Sequence, residues 1–221
     1  MTAGVEIGSG STMQSLPQIV ANALGLRPED IVVRAADTDA AGYDVGVGGG
    51  RTTVSLGAAS LTACGEVRKK LLHVAAQMLE ADPEDLVLRN GRVEIVGAEG
   101  SGTTIATVAQ RAQALAGPIS GSGAFTGAGV PAMPGCAAGH FIEALDIPVF
   151  AIHECEVAVE PETGHVDVLS YRVVQDVGRA LNPRAIFGQI QGGVTQGLGY
   201  ALHEAECGGG SRQIRPAISW T

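Results

Sequence analysis

The sequence predicts an α+β fold with mixed sheets and long packed helices. Two observations carry this. Apolar residues recur at helical spacing from Thr52 to Leu79, and again from Pro183 to Glu204. Two segments, 86–95 and 155–174, read as hairpins.

The elements follow in order. Val5 to Ile7 reads as a first strand. Gly8-Ser9-Gly10-Ser11-Thr12 breaks it and can cap a helix running to Leu24, with Leu16, Ile19, Val20 and Ala23 on one side and Gly25 as the stop. The turn Arg27-Pro28-Glu29-Asp30 leads into a short strand, Ile31 to Val33, and 37–50 reads as a loop. In the long helix, Leu61, Cys64, Arg68, Leu71, Ala75 and Met78 make the stripe, widened by Val67 and Val74. Its first half is rich in small residues (Ser55, Gly57, Ala58, Ala59, Ser60), which lets another backbone approach closely. Asp82-Pro83 ends it.

Asn90-Gly91 between two apolar runs is a strong two-residue hairpin signal. Ile105 to Leu115 reads as a helix and 117–139 as a loop. Cys155 to Glu160 and Val166 to Val174 flank Pro161-Glu162-Thr163-Gly164 as a second hairpin. Asn182-Pro183 starts the last helix, whose apolar line is Ile186, Ile190, Val194, Leu198 and Leu202.

Composition narrows the function classes. With 221 residues the chain can bury a core without disulfides. Its 32 glycines lack a three-residue period, which excludes collagen. A formal charge of −9, with Arg68-Lys69-Lys70 as the densest basic run, argues against nucleic acid; the triplet reads as a solvated helix face. Cys64, Cys136, Cys155 and Cys207 form no CxxC pair, so zinc ribbons and iron–sulfur clusters are not expected in this chain. No apolar run reaches the 18 residues of a membrane span, and the first residues do not read as a secretory signal. A cytoplasmic location with free thiols is the expectation.

Three glycine-bearing segments stand out. Gly8-Ser9-Gly10 and Gly46 to Thr53 each precede a predicted helix, where free N–H groups favour an anion. Neither is a P-loop or a dinucleotide fingerprint. In the last helix Gly188, Gly192, Thr195 and Gly199 form a small-residue stripe, and Gln189 and Gln196 share a face. Glycines inside a helix cost on the order of 1 kcal/mol each relative to alanine. Two readings of the stripe stand side by side: close packing on another helix with solvated glutamines, or a polar cofactor met by Gln189. His153-Glu154-Cys155 cannot ligate one ion, because neighbouring strand residues point to opposite faces. His73 and His203 lack a second ligand at i+4. Asp37 and Asp39 read as solvated loop residues, and no GxSxG nucleophile occurs.

Four stretches together resemble a known family: VEIGSGSTMQSLPQIVANALGL (5–26), EDIVVRAADTDAAGYDVGVGGGRTTVSLGAA (29–59), EVAVEPETGHVDVLSYRVVQDVGRALNP (156–183) and GQIQGGVTQGLGYALHE (188–204). The family is the molybdopterin-binding large subunit of the molybdenum hydroxylases, which includes xanthine dehydrogenase, aldehyde oxidase, and carbon monoxide, nicotinate and isoquinoline dehydrogenases. The resemblance implies a molybdopterin-binding domain over 1–205 and leaves 206–221 as an unassigned tail. It implies that Gly48, Gly49 and Gly50 approach the cofactor through backbone amides, that Arg51 and Thr52 line the site, and that Gln189 hydrogen-bonds the pterin. Gly8, Ser9 and Gly10 match a Gly-Gln-Gly turn that also contacts it, with Ser9 in place of the glutamine.

The family's catalytic glutamate sits in a Gly-x-Gly-Glu motif that this sequence lacks, so no catalytic residue is expected here and the chain resembles a fragment or split subunit. The implied cofactor is molybdenum on molybdopterin, alone or as its cytosine dinucleotide. The implied partners are the rest of the molybdopterin subunit, an iron–sulfur subunit and an FAD subunit. The implied chemistry is hydroxylation of aldehydes or N-heterocycles with water-derived oxygen. The alternative is a non-catalytic remnant, or an assembly partner of a split subunit.

Overall fold

The computed structural model describes residues 2–3, 11–35, 39, 51–98, 100–125, 150–207 and 213–216. The chain divides into two units, Met1–Leu145 and Asp146–Thr221.

In the first unit, β1 (Thr2–Ala3) pairs in parallel with β2 (Arg34–Ala35). The strand expected at Ile31–Val33 falls instead on the next two residues, Arg34 and Ala35, which pair with Thr2 and Ala3. An apolar run shows that a segment can be extended; only the partner's position fixes where it pairs. The predicted strand Val5–Ile7 lies outside the described residues.

Residues Ser11–Ser15 form a π turn, and α1 (Leu16–Leu24) begins only after it. Pro17 explains the late start. It has no N–H to return to Met13, and its ring crowds that carbonyl, so an α-helix cannot run through from Ser11. Gly25 closes α1 in the left-handed conformation, with φ 64°. It is also a close-approach point. A Cβ there would lie 2.6 Å from the Leu88 carbonyl oxygen and 2.9 Å from the Arg89 nitrogen. A 3₁₀ turn, Pro28–Asp30, follows, clipped by the exposed Arg27–Asp30 ion pair at 2.8 Å. The Arg27 guanidinium holds the Asp30 carboxyl below its ordinary pKa.

The central element is α2 (Arg51–Leu79), 29 residues long. Cys64, Leu71 and Ala75 are buried as the stripe predicts, but Leu61 is 52% exposed. The covered line in the first half runs through Gly57 and Ser60 instead. Close neighbours explain this. A Cβ on Gly57 would sit 3.1 Å from Ile19 Cδ1 of α1. The backbone at Gly121 and Gly123 lies directly against the Ala63 and Ala59 carbonyls. A helix approached this closely keeps small residues on the contact line and turns Leu61 away from it. The same segment is pinned from both sides: Lys70 Nζ donates to the Ser120 carbonyl at 2.6 Å, and Ser122 N donates to Glu66 Oε2 at 3.2 Å. Lys70 is therefore a clamp as well as a solvated charge.

The helix ends at Leu79, as its apolar period predicts, just ahead of Asp82-Pro83. Glu80 takes a positive φ of 52°, and Asp82 caps the next short turn, Pro83–Asp85. β3 (Leu86–Arg89) and β4 (Arg92–Ile95) pair antiparallel around Asn90-Gly91, both at positive φ as a two-residue turn of this kind requires. β5 (Gly102–Thr104), not predicted, adds a third strand. α3 (Ile105–Ala116) is capped by Thr104 Oγ1, which accepts from Thr107 N at 3.1 Å. The core lies between these elements, with Val93 and Val108 fully buried and Val20, Leu24, Leu71, Ala75, Leu86 and Leu88 around them.

The second unit holds the predicted long hairpin, β6 (Ala151–Val159) and β7 (Val166–Gln175). Its register shifts between Glu156 and Val157. α4 (Pro183–Leu202) starts as expected, with Asn182 Oδ1 accepting from Ala185 N at 3.1 Å. It stops two residues early because the chain turns into β8 (Glu204–Cys207), which pairs antiparallel with β9 (Gln213–Pro216). None of the α4 residues is buried. Ile186, Ile190, Val194 and Leu198 are half-covered, and Leu202 is exposed.

Candidate functional site

The start of α2 is the best-defined part of the predicted site. The helix begins at Arg51, directly after Gly48-Gly49-Gly50. Its first N–H groups have no partner within the helix, and its positive dipole end carries no acidic side chain in the first turn. Thr52 is only 6% exposed, and its Oγ1 is buried with no hydrogen-bond partner. Ser55 Oγ, one turn further along, is buried and unpartnered too. Later hydroxyls in the same helix behave differently. Ser60 donates to the Leu56 carbonyl at 2.6 Å and Thr62 to the Ala58 carbonyl at 3.2 Å. An unsatisfied buried hydroxyl costs roughly 1–3 kcal/mol. Two such hydroxyls lie within the first two turns of α2, whereas buried polar groups are ordinarily hydrogen-bonded.

The sequence reading names Thr52 among the site residues and Ser55 only among the small residues of the helix. The available signal was the i, i+3 spacing, which puts both on one side of the helix. Arg51 lies in the helix, but its side chain is outside the described residues. Gly8, Ser9, Gly10, Gly48, Gly49 and Gly50 are outside them as well.

Gln189 belongs to the second unit. It is exposed on α4, as is Gln196 one heptad on. The expected close neighbour of the glycine stripe is absent among the described residues. A Cβ added at Gly188, Gly192, Gly193 or Gly197 would meet nothing within 4 Å, and at Gly199 only the Glu204 side chain at 3.5 Å.

Other candidates resolve as structural. His153 contacts Tyr171 edge-on, with Nδ1 3.2 Å from the phenol oxygen, and Glu154 pairs with Arg172 at 2.9 Å. His73 meets Gln77 at 3.2 Å. Among the described residues no cluster of three His, Cys, Asp or Glu could hold a metal. Asp37 lies outside the described residues. Cys64 and Cys155 are free thiols, and burial pushes the Cys64 thiol up in pKa, as in a packed rather than a reactive cysteine. A shallow concavity lined by His73, Gln77, Glu80 and Asp82 sits at the far end of α2, roughly 40 Å from Thr52 at 1.5 Å per residue.

A family model described as "Molybdopterin cofactor-binding domain" matches residues 1–207. The chain belongs to this family. Both helices, α2 and α4, lie within the matched residues.

Relatives of this domain are large subunits of molybdenum hydroxylase oxidoreductases. It is 35% identical to the nicotine 6-hydroxylase large subunit of Paenarthrobacter nicotinovorans, with 92% of this chain and 25% of that one covered. It is 33% identical to the carbon monoxide dehydrogenase large chain of Hydrogenophaga pseudoflava, covering 84% and 22%. Quinoline 2-oxidoreductase from Pseudomonas putida 86 superimposes with a TM-score of 0.76 at 25% identity, over 98% of this chain and 26% of that one. A Cu,Mo-CO dehydrogenase gives a TM-score of 0.76 at 23% identity and so shares the fold. The chain thus spans about a quarter of the length of the curated relatives it matches. Among the described residues no helix is long and apolar enough to cross a membrane.

Proposed function

We propose that this chain supplies part of the cofactor cradle of a molybdenum hydroxylase and no catalytic group of its own. The observation that carries this is the buried, unpartnered Thr52 hydroxyl at the start of α2, next to Gly48-Gly49-Gly50 and inside the matched family segment. Gly8, Ser9, Gly10 and Gly48–Gly50 would present backbone N–H groups. Arg51 and Thr52 would line the site, and Gln189 would offer an amide that both donates and accepts. These residues bind and orient; fixed dipoles at a helix start do so without reorganising during reaction. When bound, the molybdenum centre would supply a two-electron oxidation that places water-derived oxygen on an electron-poor carbon of an aldehyde or N-heterocycle.

The sequence lacks the Gly-x-Gly-Glu motif, so the base would come from that segment on a partner polypeptide. That segment, an iron–sulfur subunit and an FAD subunit are the proposed partners. The pterin is proposed as molybdopterin or its cytosine dinucleotide. The free thiols fit the cytoplasm.

The uncovered α4 favours a second reading, in which the chain is a non-catalytic remnant or an assembly partner that completes a split subunit. Purification from the native host, with elemental mass spectrometry for molybdenum and intact masses for co-eluting chains, separates the two. Molybdenum together with a chain carrying the glutamate motif supports the cradle. A lone, metal-free 22.4 kDa chain overturns it. The chain alone, given cofactor, should turn over nothing.

A further inference from the structure

We infer that Ser55 is a further cofactor-contacting residue, its hydroxyl extending the Thr52 position by one helical turn. The inference rests on the reading that this end of α2 meets the pterin cofactor. Three observations support it. Ser55 Oγ is buried without a partner, as Thr52 Oγ1 is. The two are three residues apart and therefore on the same side of the helix. The Ser55 hydroxyl also makes no bond to the Arg51 carbonyl at i−4, whereas those of Ser60 and Thr62 donate to theirs. A serine that gives up the local acceptor while staying out of water is oriented toward another one.

The neighbourhood says what kind of atom that is. The free N–H groups of the first turn are donors only, the two hydroxyls can donate beside them, and the first turn carries no acidic side chain. The complement is an acceptor-rich group, such as a carbonyl or phosphate oxygen of the cofactor, rather than a donor.

The test uses the complex as purified from the native host, carrying wild-type chain, Ser55→Ala or Thr52→Val. The first readout is the rate at which pterin dissociates, followed as the fluorescent oxidised pterin. Losing one hydrogen bond of about 1 kcal/mol speeds release about five- to tenfold. The second is the melting temperature of the complex stripped of cofactor. Removing an unsatisfied buried hydroxyl should leave it unchanged or raise it. Faster release with an undiminished stripped melting temperature supports the assignment. Unchanged release in Ser55→Ala overturns it, and if Thr52→Val still accelerates release the functional reading survives. A stripped melting temperature several degrees lower in Ser55→Ala also overturns it, because the hydroxyl is then satisfied by protein or buried water. Wild-type complex without pterin overturns the functional reading, and this assignment with it.

Discussion

Gly188→Ala combined with Gly192→Ala separates the two readings of the last helix. Both glycines lie inside α4, and an added methyl at either meets nothing within 4 Å. In such a helix each replacement relieves backbone entropy worth about 0.5–1 kcal/mol. The double variant of the chain alone should therefore gain about 1–2 kcal/mol of helix stability, seen as a higher midpoint in far-UV circular dichroism. Assembly should respond in the opposite direction. If the stripe receives the cofactor or another subunit's backbone, each methyl overpacks the contact at a cost of about 1–3 kcal/mol. Co-purification with the glutamate-bearing chain and pterin content would then fall by at least about tenfold. A stabilised chain that assembles and loads like wild type would refute the reasoning, since the glycines would face solvent throughout. A destabilised chain would refute it differently, by showing that α4 packs within the chain.

Gln189→Ala should leave the melting of the chain alone unchanged, because the side chain is exposed, yet speed pterin release from the complex by about two- to tenfold. Gly25→Ala should cost about 2–4 kcal/mol in urea unfolding, combining a left-handed backbone with a Cβ 2.6 Å from the Leu88 carbonyl oxygen; Gly91→Ala, left-handed but with open space, should cost about 1–2, and equal losses would refute the steric part. Exposed Cys155 should react with thiol reagents at once and Cys64 only on opening, read by peptide mapping of labelled protein. Burial raises the Cys64 pKa, so the folded state holds that proton more tightly than the unfolded one. Its contribution to stability is complete below the unfolded thiol value of about 8.5 and is lost as pH rises through the folded value. The urea midpoint should therefore fall more steeply above pH 8.5 in wild type than in Cys64→Ala.

The sequence by itself determined the elements whose signals are local. Asn90-Gly91 dictates its hairpin because both residues tolerate positive φ. Asn182-Pro183 dictates where α4 starts, and the period of Cys64, Leu71 and Ala75 dictates which side of α2 is buried. The family was also legible, since four glycine-rich and strand segments occur in a fixed order along 1–207.

Tertiary structure decided what depends on a distant partner. The ladder falls on Arg34–Ala35 rather than on Ile31–Val33 because Thr2–Ala3 sits there. Leu61 faces out because Ile19 and the backbone at Gly121 and Gly123 close on the small residues of α2. The candidate site divides the same way. A serine in a helix is ordinary in sequence, and only burial without a partner distinguishes Ser55 from Ser60. Local propensity acts through neighbouring residues, whereas burial and hydrogen-bond satisfaction are set by groups tens of residues away.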